Sequence, residues 1–145
     1  MGKSIEELTY EMQGKARKAL VEMKYSKELQ DMGVENVIIS ESKRSLVVQM
    51  AYYSRGRMDV ADVKRMYQAA GLYAISDDEA KVKNTWTLQS KHIEGKAIDF
   101  VPVKDGKAWW NAPDVVWEIM GEIGEKNGLK WGGRWTERDL PHFEI

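Results

Sequence analysis

Residues 90–103 have the sequence SKHIEGKAIDFVPV, in which a histidine and a glycine precede an apolar run. This run predicts the central strand of a small sheet over residues 98–103, turned by the polar residues 104–107. Asp99 interrupts the strand, and an ionised carboxylate costs free energy to bury unless it is paired. Asp99 therefore indicates either a polar site inside the fold or a charge on an edge strand that faces solvent.

The two histidines of the chain lie in separate short motifs, each with a carboxylate close by. His92 precedes Asp99 in the first motif, and His142 ends the second, DLPH at residues 139–142. Taken singly, a histidine is more often a surface or core residue than a ligand. Two imidazoles and one buried carboxylate, however, can form a catalytic zinc site that keeps its fourth position open for water. His92, Asp99 and His142 are therefore candidate metal ligands, and Asp139 is close enough to act on that water.

The spacing between His92 and Asp99 requires a break in the strand. The two residues are seven positions apart, and an odd separation in a continuous strand places side chains on opposite faces. Gly95 is the natural position for a turn or bulge, because glycine tolerates backbone conformations that other residues resist. Farther along the chain, Glu144 shares a strand face with His142. It is either a hydrogen-bond acceptor for that ring or a solvated carboxylate.

Helices are predicted on both sides of the central strand. Ser4 and Glu7 form a capping box that opens an amphipathic helix through about Met23. Further helices, each followed by a glycine, are predicted over residues 45–55, 60–70 and 114–127, and short strands over 37–39 and 141–145. Residues 72–88 are predicted to form a loop over the site. This order predicts a single α+β domain, residues 1–145, with helices against one face of a small antiparallel sheet.

The pattern of apolar side chains predicts which residues lie in the core and which line the cleft. The apolar face of the 114–127 helix is predicted to consist of Val115, Ile119 and Ile123. The core around it is predicted to include Trp109, Trp110 and Trp117. The cleft is predicted to be walled by Trp131 and Trp135, which flank two glycines just before Asp139.

Composition excludes several classes of site and partner. The chain has 145 residues, no cysteine and a net charge of −1. The absence of cysteine excludes thiol catalysis, thiolate metal sites and disulfides. The near-neutral charge argues against nucleic acid as the main partner, and no apolar stretch reaches the length of a membrane span. The amino-terminal residues show no secretory signal, and we expect a monomer without membrane insertion.

The two histidine motifs resemble those of a known family. The pattern Ser-x-His-x-x-Gly-x-Ala-x-Asp at residues 90–99, followed by Asp-x-x-His at 139–142 after a Trp-Gly stretch, is similar to zinc peptidases that cut bacterial cell-wall peptides. These include D-Ala-D-Ala carboxypeptidases and dipeptidases, and the L-alanyl-D-glutamate endopeptidases of phage endolysins. The Hedgehog amino-terminal domain is a distant fold relative. The resemblance covers the chain from about Ile38 to Glu144.

The resemblance implies a role for each residue of the two motifs. One zinc ion per chain would be bound by His92, Asp99 and His142, with Asp139 as the general base. Many relatives have a glutamate at this last position, so Asp139 resembles the endolysin-type members.

Three further positions are implied to contact substrate or the catalytic centre. Ser90 corresponds to the leading serine of the family, which supports the site or hydrogen-bonds substrate. Arg44 and Gln49 resemble an Arg-x-x-x-x-Gln segment, in which the arginine reaches a substrate carbonyl or carboxylate and the glutamine lines the site. The alternative for Arg44 is a surface cation near a helix start. With Trp135 in the cleft wall, the predicted substrate-binding residues are Ser90, Gln49 and Trp135.

Three functions follow from these features. The first is a zinc endopeptidase that cleaves the L-Ala–D-Glu bond of peptidoglycan stem peptides, as a phage lysin held in the host cytoplasm until holin-mediated release. The second keeps the chemistry but cleaves the terminal D-Ala-D-Ala bond. The third is a zinc-bearing binding module without catalysis, against which the presence of Asp139 argues, because a structural zinc site needs no base.

Overall fold

A small antiparallel sheet is the centre of the fold in the computed structural model, which describes residues 3–85 and 90–145. The strands are β1 (Asn36–Glu41), β2 (Ala97–Lys104), β3 (Lys107–Ala108), β4 (Lys130–Trp131) and β5 (His142–Glu144). The order across the sheet is β1-β2-β5-β4, and β3 forms a hairpin with β2. The predicted strands at 37–39, 98–103 and 141–145 are thus confirmed, with β2 at the centre.

Six α-helices accompany this sheet in the described part of the chain. They are α1 (Tyr10–Tyr25), α2 (Lys27–Asp31), α3 (Leu46–Ser54), α4 (Val60–Ala69), α5 (Asp77–Ala80) and α6 (Asp114–Lys126). The main core joins α1 and α6 to the sheet through buried residues that include Met12, Met23, Trp117, Met120, Phe100 and Phe143. A second cluster, around Val63 and Tyr67, packs α3, α4 and α5 together. The predicted α+β class is confirmed.

The pairing of β2 with β5 separates the core from the polar site. Ile98 lies opposite Phe143, and both are fully buried in the main core. Side chains alternate between faces along a strand, so the neighbouring pair, Asp99 opposite His142, points to the other face. The two strands that contribute to the core therefore also present a carboxylate and an imidazole side by side, Asp99 from β2 and His142 from β5.

The predicted capping box at Ser4 and Glu7 is wrong. Residues Ile5–Glu7 form a single 3-10 turn, and Ser4 makes no side-chain cap bond. The helix α1 begins later, after Thr9, whose hydroxyl accepts a hydrogen bond from Met12 N at 3.4 Å. The reason is a tertiary contact, because the Glu7 carboxylate accepts a hydrogen bond from Ser42 at 3.0 Å instead of reaching back to Ser4.

Three apolar positions differ from their predicted places. Val115 is about half exposed, because the buried face of α6 includes the predicted Ile119 but continues through Val116 and Trp117 instead of Val115. Trp110, which precedes α6, is also about half exposed. Trp131 is buried in the core rather than in a cleft wall, and its indole N–H donates to the Leu140 carbonyl at 2.7 Å. The predicted loop at 72–88 contains the short helix α5, and its residues 86–88 lie outside the described part of the chain.

Two glycines let α6 lie very close to the sheet. A Cβ atom built on Gly124 would lie 2.3 Å from the Phe143 ring, and one on Gly121 would lie 2.3 Å from the Trp131 ring. Contacts of this length cannot be accommodated without moving either the helix or a buried aromatic ring. The close approach also places α6 directly behind β5, the strand that carries His142.

Substitution of Gly124 by alanine should therefore destabilise the fold. We expect a loss of about 1–3 kcal/mol in the free energy of unfolding, as is usual for overpacked cores, measured by urea denaturation. The matched control is Gly14→Ala in α1, where an added Cβ meets nothing within 4 Å, and where alanine should stabilise the helix by up to about 1 kcal/mol. Equal effects of the two substitutions would contradict the close packing of α6.

None of the helices in residues 3–85 and 90–145 is both long enough and apolar enough to cross a lipid bilayer.

Candidate metal centre

Three side-chain atoms form a nearly equilateral triangle on the polar face of β2 and β5. His92 Nε2 and His142 Nδ1 each lie 3.2 Å from Asp99 Oδ1, and the two nitrogens are 3.2 Å apart. A tetrahedral zinc ion with bonds of about 2.0–2.1 Å separates its ligand atoms by roughly 3.3 Å. The triangle therefore fits three corners of a zinc tetrahedron and leaves the fourth open.

The Asp99 carboxylate gives an independent sign that the cluster suits a cation. Asp99 Oδ1 is buried, and no residue in the described part of the chain makes a conventional hydrogen bond to it. Buried polar atoms in native structures nearly always have such a partner. An oxygen that faces two imidazole nitrogens at equal distances is placed as a ligand atom. The donor set of two histidines and one carboxylate, all in one cluster, is one that zinc accepts.

The backbone brings the ligands together in two ways. Asp99 and His142 are direct partners across β2 and β5. His92 reaches them from a tight turn, in which the Gly95 N–H donates to the His92 carbonyl at 3.3 Å and Gly95 has a φ of +72°. The predicted break at Gly95 is confirmed, since this left-handed conformation favours glycine. The Ser90 hydroxyl accepts a hydrogen bond from His92 N at 3.2 Å and so stabilises the same turn.

Each imidazole is held by a partner on its outer nitrogen. His92 Nδ1 lies 2.7 Å from the Ser42 carbonyl oxygen, and His142 Nε2 lies 2.8 Å from Glu144 Oε1. Because a carbonyl and a carboxylate can only accept, each outer nitrogen carries the proton and each inner nitrogen presents its lone pair to the triangle. Glu144 is therefore the acceptor for His142, and the alternative of a solvated carboxylate is wrong.

Ser42 is itself held by the amino-terminal segment. The Ser42 side chain is fully buried, and its hydroxyl accepts a hydrogen bond from Ser4 N and donates one to Glu7, both at 3.0 Å. The carbonyl of the same residue accepts the His92 ring proton. Residues 4–7 thus contribute to the orientation of His92 through a single serine.

The charges of the cluster shift the pKa values of its members. Burial opposes ionisation of Asp99, but the two imidazoles that face its carboxylate, His142 and His92, outweigh burial and hold the pKa of the carboxyl well below its usual range. Burial also disfavours a charged His142 ring, but Asp99 and Glu144 outweigh it and raise the pKa of the ring to about 9. The cluster therefore favours a bound positive charge. A proton on the His142 ring and a metal cation at the triangle would compete for this position.

Asp139 lies beside the triangle without being one of its corners. Its Oδ2 atom is 3.9 Å from His142 Nδ1, and its side chain is about half exposed. Burial and the negative charge of Asp99 raise the pKa of the Asp139 carboxyl. A glycine at position 132 is needed for this placement, since a Cβ there would lie 2.5 Å from the Asp139 carbonyl oxygen.

Arg44 and Gln49 lie at the same site in a polar network. Arg44 N donates to the His92 carbonyl at 3.0 Å, and the guanidinium forms a buried ion pair with Glu41. Gln49 is fully buried, and its Oε1 accepts a hydrogen bond from Arg44 Nη1 at 2.5 Å. The Arg44 side chain is only 12% exposed, so the alternative of a surface cation is wrong.

Glu41 is a site residue that the sequence did not reveal. It lies opposite Asp99 where the register of β1 shifts, pairs with Arg44 and approaches His92 Nδ1 to 3.7 Å. Its spacing of three residues before Arg44 is the only local signal, and that spacing is common on surfaces.

Trp135 lies at the open side of the site. Its ring centroid is 5.0 Å from that of His142, and the side chain is 41% exposed. This position agrees with the predicted cleft wall, whereas Trp131 does not share it. Contact of Trp135, Ser90 or Gln49 with substrate stays a prediction.

The fold and the cluster resemble those of zinc peptidases that cut bacterial cell-wall peptides, and comparison with known proteins confirms this resemblance. Residues 83–145 match the family model described as D-alanyl-D-alanine carboxypeptidase. Over 62 residues, 39% of this chain, the sequence is 37% identical to the L-alanyl-D-glutamate peptidase of Escherichia phage T5. The match spans 45% of that relative, less than half of its length.

Solved structures show the same fold over nearly the whole chain. The L-Ala D-Glu endopeptidase ChiX of Serratia marcescens superposes with a TM-score of 0.59 at 19% identity, covering 97% of this chain and 82% of its own. The vancomycin resistance D,D-pentapeptidase VanY, solved in complex with Zn(II), gives a TM-score of 0.51 at 16% identity, covering 95% of this chain and 72% of its own.

Proposed function

We propose that this protein is a zinc peptidase that cleaves the L-alanyl-D-glutamate bond in the stem peptides of peptidoglycan. The observation that carries the proposal is the triangle of His92, Asp99 and His142 with Asp139 beside its open corner. The choice of bond is supported by the names of the phage T5 peptidase and of ChiX.

The mechanism assigns one task to each group. A zinc ion held by His92, Asp99 and His142 would supply Lewis-acid activation of water and stabilise the negative charge that develops on the substrate carbonyl. Asp139 takes the proton of the attacking water and delivers it to the leaving amine. Its half-exposed position leaves it open to water and substrate, and its raised pKa makes it a stronger base than an ordinary aspartate.

Arg44 is proposed to bind the substrate rather than the metal. Its guanidinium is fixed by Glu41 and Gln49, and a fixed guanidinium presents hydrogen bonds to a carbonyl or carboxylate without reorganisation. Ser90 and Trp135 are proposed to complete the substrate site, and Gln49, which is fully buried, is proposed to support it by holding Arg44. Of these, Trp135 is the exposed apolar surface next to His142.

The second candidate is cleavage of the terminal D-Ala-D-Ala bond. The description of the matching family model and the fold shared with VanY favour it. A zinc-bearing module without catalysis is the third candidate, and the position of Asp139 next to the triangle argues against it.

We further propose that the chain acts as one monomeric peptidase domain. We also propose that it works in phage lysis, accumulating in the host cytoplasm until a holin releases it to the wall.

The bond that is cut can be identified from the ends it leaves. Purified peptidoglycan treated with the protein should yield free L-alanine carboxyl ends on the glycan side and new amino-terminal D-glutamate. Amino-group labelling followed by mass spectrometry reads both ends, and the variant Asp139→Asn serves as the inactive control. Release of D-alanine with the L-Ala–D-Glu bond intact would reassign the protein to the carboxypeptidase alternative.

A further inference from the structure

Glu144 connects a lysine to one of the two candidate histidine ligands. Its Oε1 atom lies 2.8 Å from His142 Nε2, and its Oε2 atom lies 3.3 Å from Lys91 Nζ. The Glu144 side chain is 15% exposed and that of Lys91 is 38% exposed, so the ion pair lies at the edge of the protein interior with a partner for each Glu144 oxygen. The Lys91 ammonium also donates to the backbone carbonyl of Ile145. These contacts form a row from Lys91 through Glu144 to His142.

The two histidines are held by partners of different charge. His92 donates to a neutral backbone carbonyl, that of Ser42, whereas His142 donates to the Glu144 carboxylate. A carboxylate acceptor increases the electron density on the opposite ring nitrogen more than a carbonyl does, and it fixes the ring orientation more strongly. Of these two hydrogen-bond acceptors only Glu144 is a side chain, so the acceptor of His142 can be removed by mutation; the Glu41 carboxylate lies farther from the ring that it faces, 3.7 Å from His92 Nδ1.

Lys91 also connects the two segments of the chain that carry the candidate histidine ligands. It immediately precedes His92, and it contacts Glu144, which lies opposite Ala97 in the β2–β5 pairing. The ion pair thus links the turn that carries His92 to the strand that carries His142.

We propose that Lys91 and Glu144 act as a positioning pair for the metal site, fixing the His142 tautomer that presents Nδ1 and joining the two ligand-bearing segments. The inference rests on the proposed zinc site. It assigns to these two residues an effect on metal affinity and on the geometry of the ligands, with no contact to substrate.

Metal affinity in variants of the pair tests this proposal. Zinc dissociation constants are measured by competition with a chromophoric chelator for the unchanged protein, Glu144→Ala, Glu144→Gln and Lys91→Met. We expect Glu144→Ala to weaken zinc binding by about 10–100-fold, the usual effect of removing such a partner. Glu144→Gln keeps an oxygen acceptor and should lose less. Glu94→Gln, an exposed position in the same turn, is the control and should bind zinc unchanged.

The coupling between substitutions at Lys91 and Glu144 shows whether the two residues act as a pair or as two independent contacts. Lys91→Met should weaken binding at least about twofold when Glu144 is present and should have no further effect in Glu144→Ala. The visible absorption spectrum of the cobalt-substituted protein should change in the Glu144 variants and stay constant in Glu94→Gln. This spectrum reports the geometry of the ligands around the metal, and a general loss of stability does not change it.

The outcomes distinguish this inference from the proposed function. Unchanged zinc affinity and an unchanged cobalt spectrum in Glu144→Ala would overturn the positioning role while leaving the peptidase proposal in place. Equal losses from Lys91→Met in both backgrounds would overturn the pairing. If Glu144→Ala does not fold, the comparison of Glu144→Gln with Glu94→Gln decides the same question. Failure of the unchanged protein to bind zinc would overturn the proposed function itself.

Discussion

Replacement of His142 by alanine should abolish both zinc binding and peptidase activity. His142 supplies one of the three candidate ligand atoms, and among the described residues no other donor lies at the same corner, since Asp139 Oδ2 is 3.9 Å from the ring nitrogen and Glu144 faces the opposite edge of the ring. His92→Ala and Asp99→Ala should have the same effect. Two remaining protein ligands do not hold zinc in the manner of the three-ligand catalytic sites.

The measurement is zinc content per chain after dialysis against buffer, together with turnover of peptidoglycan. Asp105→Asn is a suitable control, because Asp105 lies in the β2–β3 turn and its positive φ of 54° is one that asparagine accepts. Full zinc occupancy in His142→Ala would refute the ligand assignment, whatever the activity of that variant.

Asp139→Asn should separate catalysis from metal binding. The amide has almost the same shape as the carboxylate but cannot accept the proton of the attacking water, so turnover should fall by about 10²–10⁴-fold, the usual contribution of a general base. Zinc content should stay at one ion per chain, because Asp139 is not a corner of the triangle. The two quantities are measured on the same preparation.

Two results would contradict this role for Asp139. Loss of zinc from the variant would show that the residue is a ligand and that another group is the base. Turnover close to that of the unchanged protein, with zinc present, would exclude Asp139 as the base.

The parts of the site that the sequence predicts are those encoded by local spacing. His92, Asp99 and His142 stand in two short motifs, and the odd spacing in the first implies the turn that Gly95 makes. Arg44 and Gln49 have no such local argument, and only the resemblance to the Arg-x-x-x-x-Gln segment of the family implies them. For the two histidine motifs, the positions of a few neighbouring residues and the geometry of a strand and a turn account for the prediction.

The residues that support the site were not predictable in this way, because their partners are distant in sequence. Glu7 binds Ser42, 35 residues away, and this contact replaces the local capping box that its spacing with Ser4 indicates. Glu41 lies in an ordinary strand sequence, and only the pairing of β1 with β2 brings it to Asp99. Trp131 is buried in the core because it packs against α6. Its position next to two glycines in the sequence does not predict this contact.

The hydrogen bonds of Ser42 bear on how the boundary of this domain is drawn. The family match begins at residue 83 and contains all three candidate ligands, so a boundary based on sequence similarity would keep the triangle and remove residues 4–42. Yet the carbonyl that orients His92 belongs to Ser42, and Ser42 is held by Ser4 and Glu7. Residues outside the family match therefore help to orient a candidate ligand inside it, and a fragment that began at residue 83 would lack the hydrogen-bond acceptor of His92.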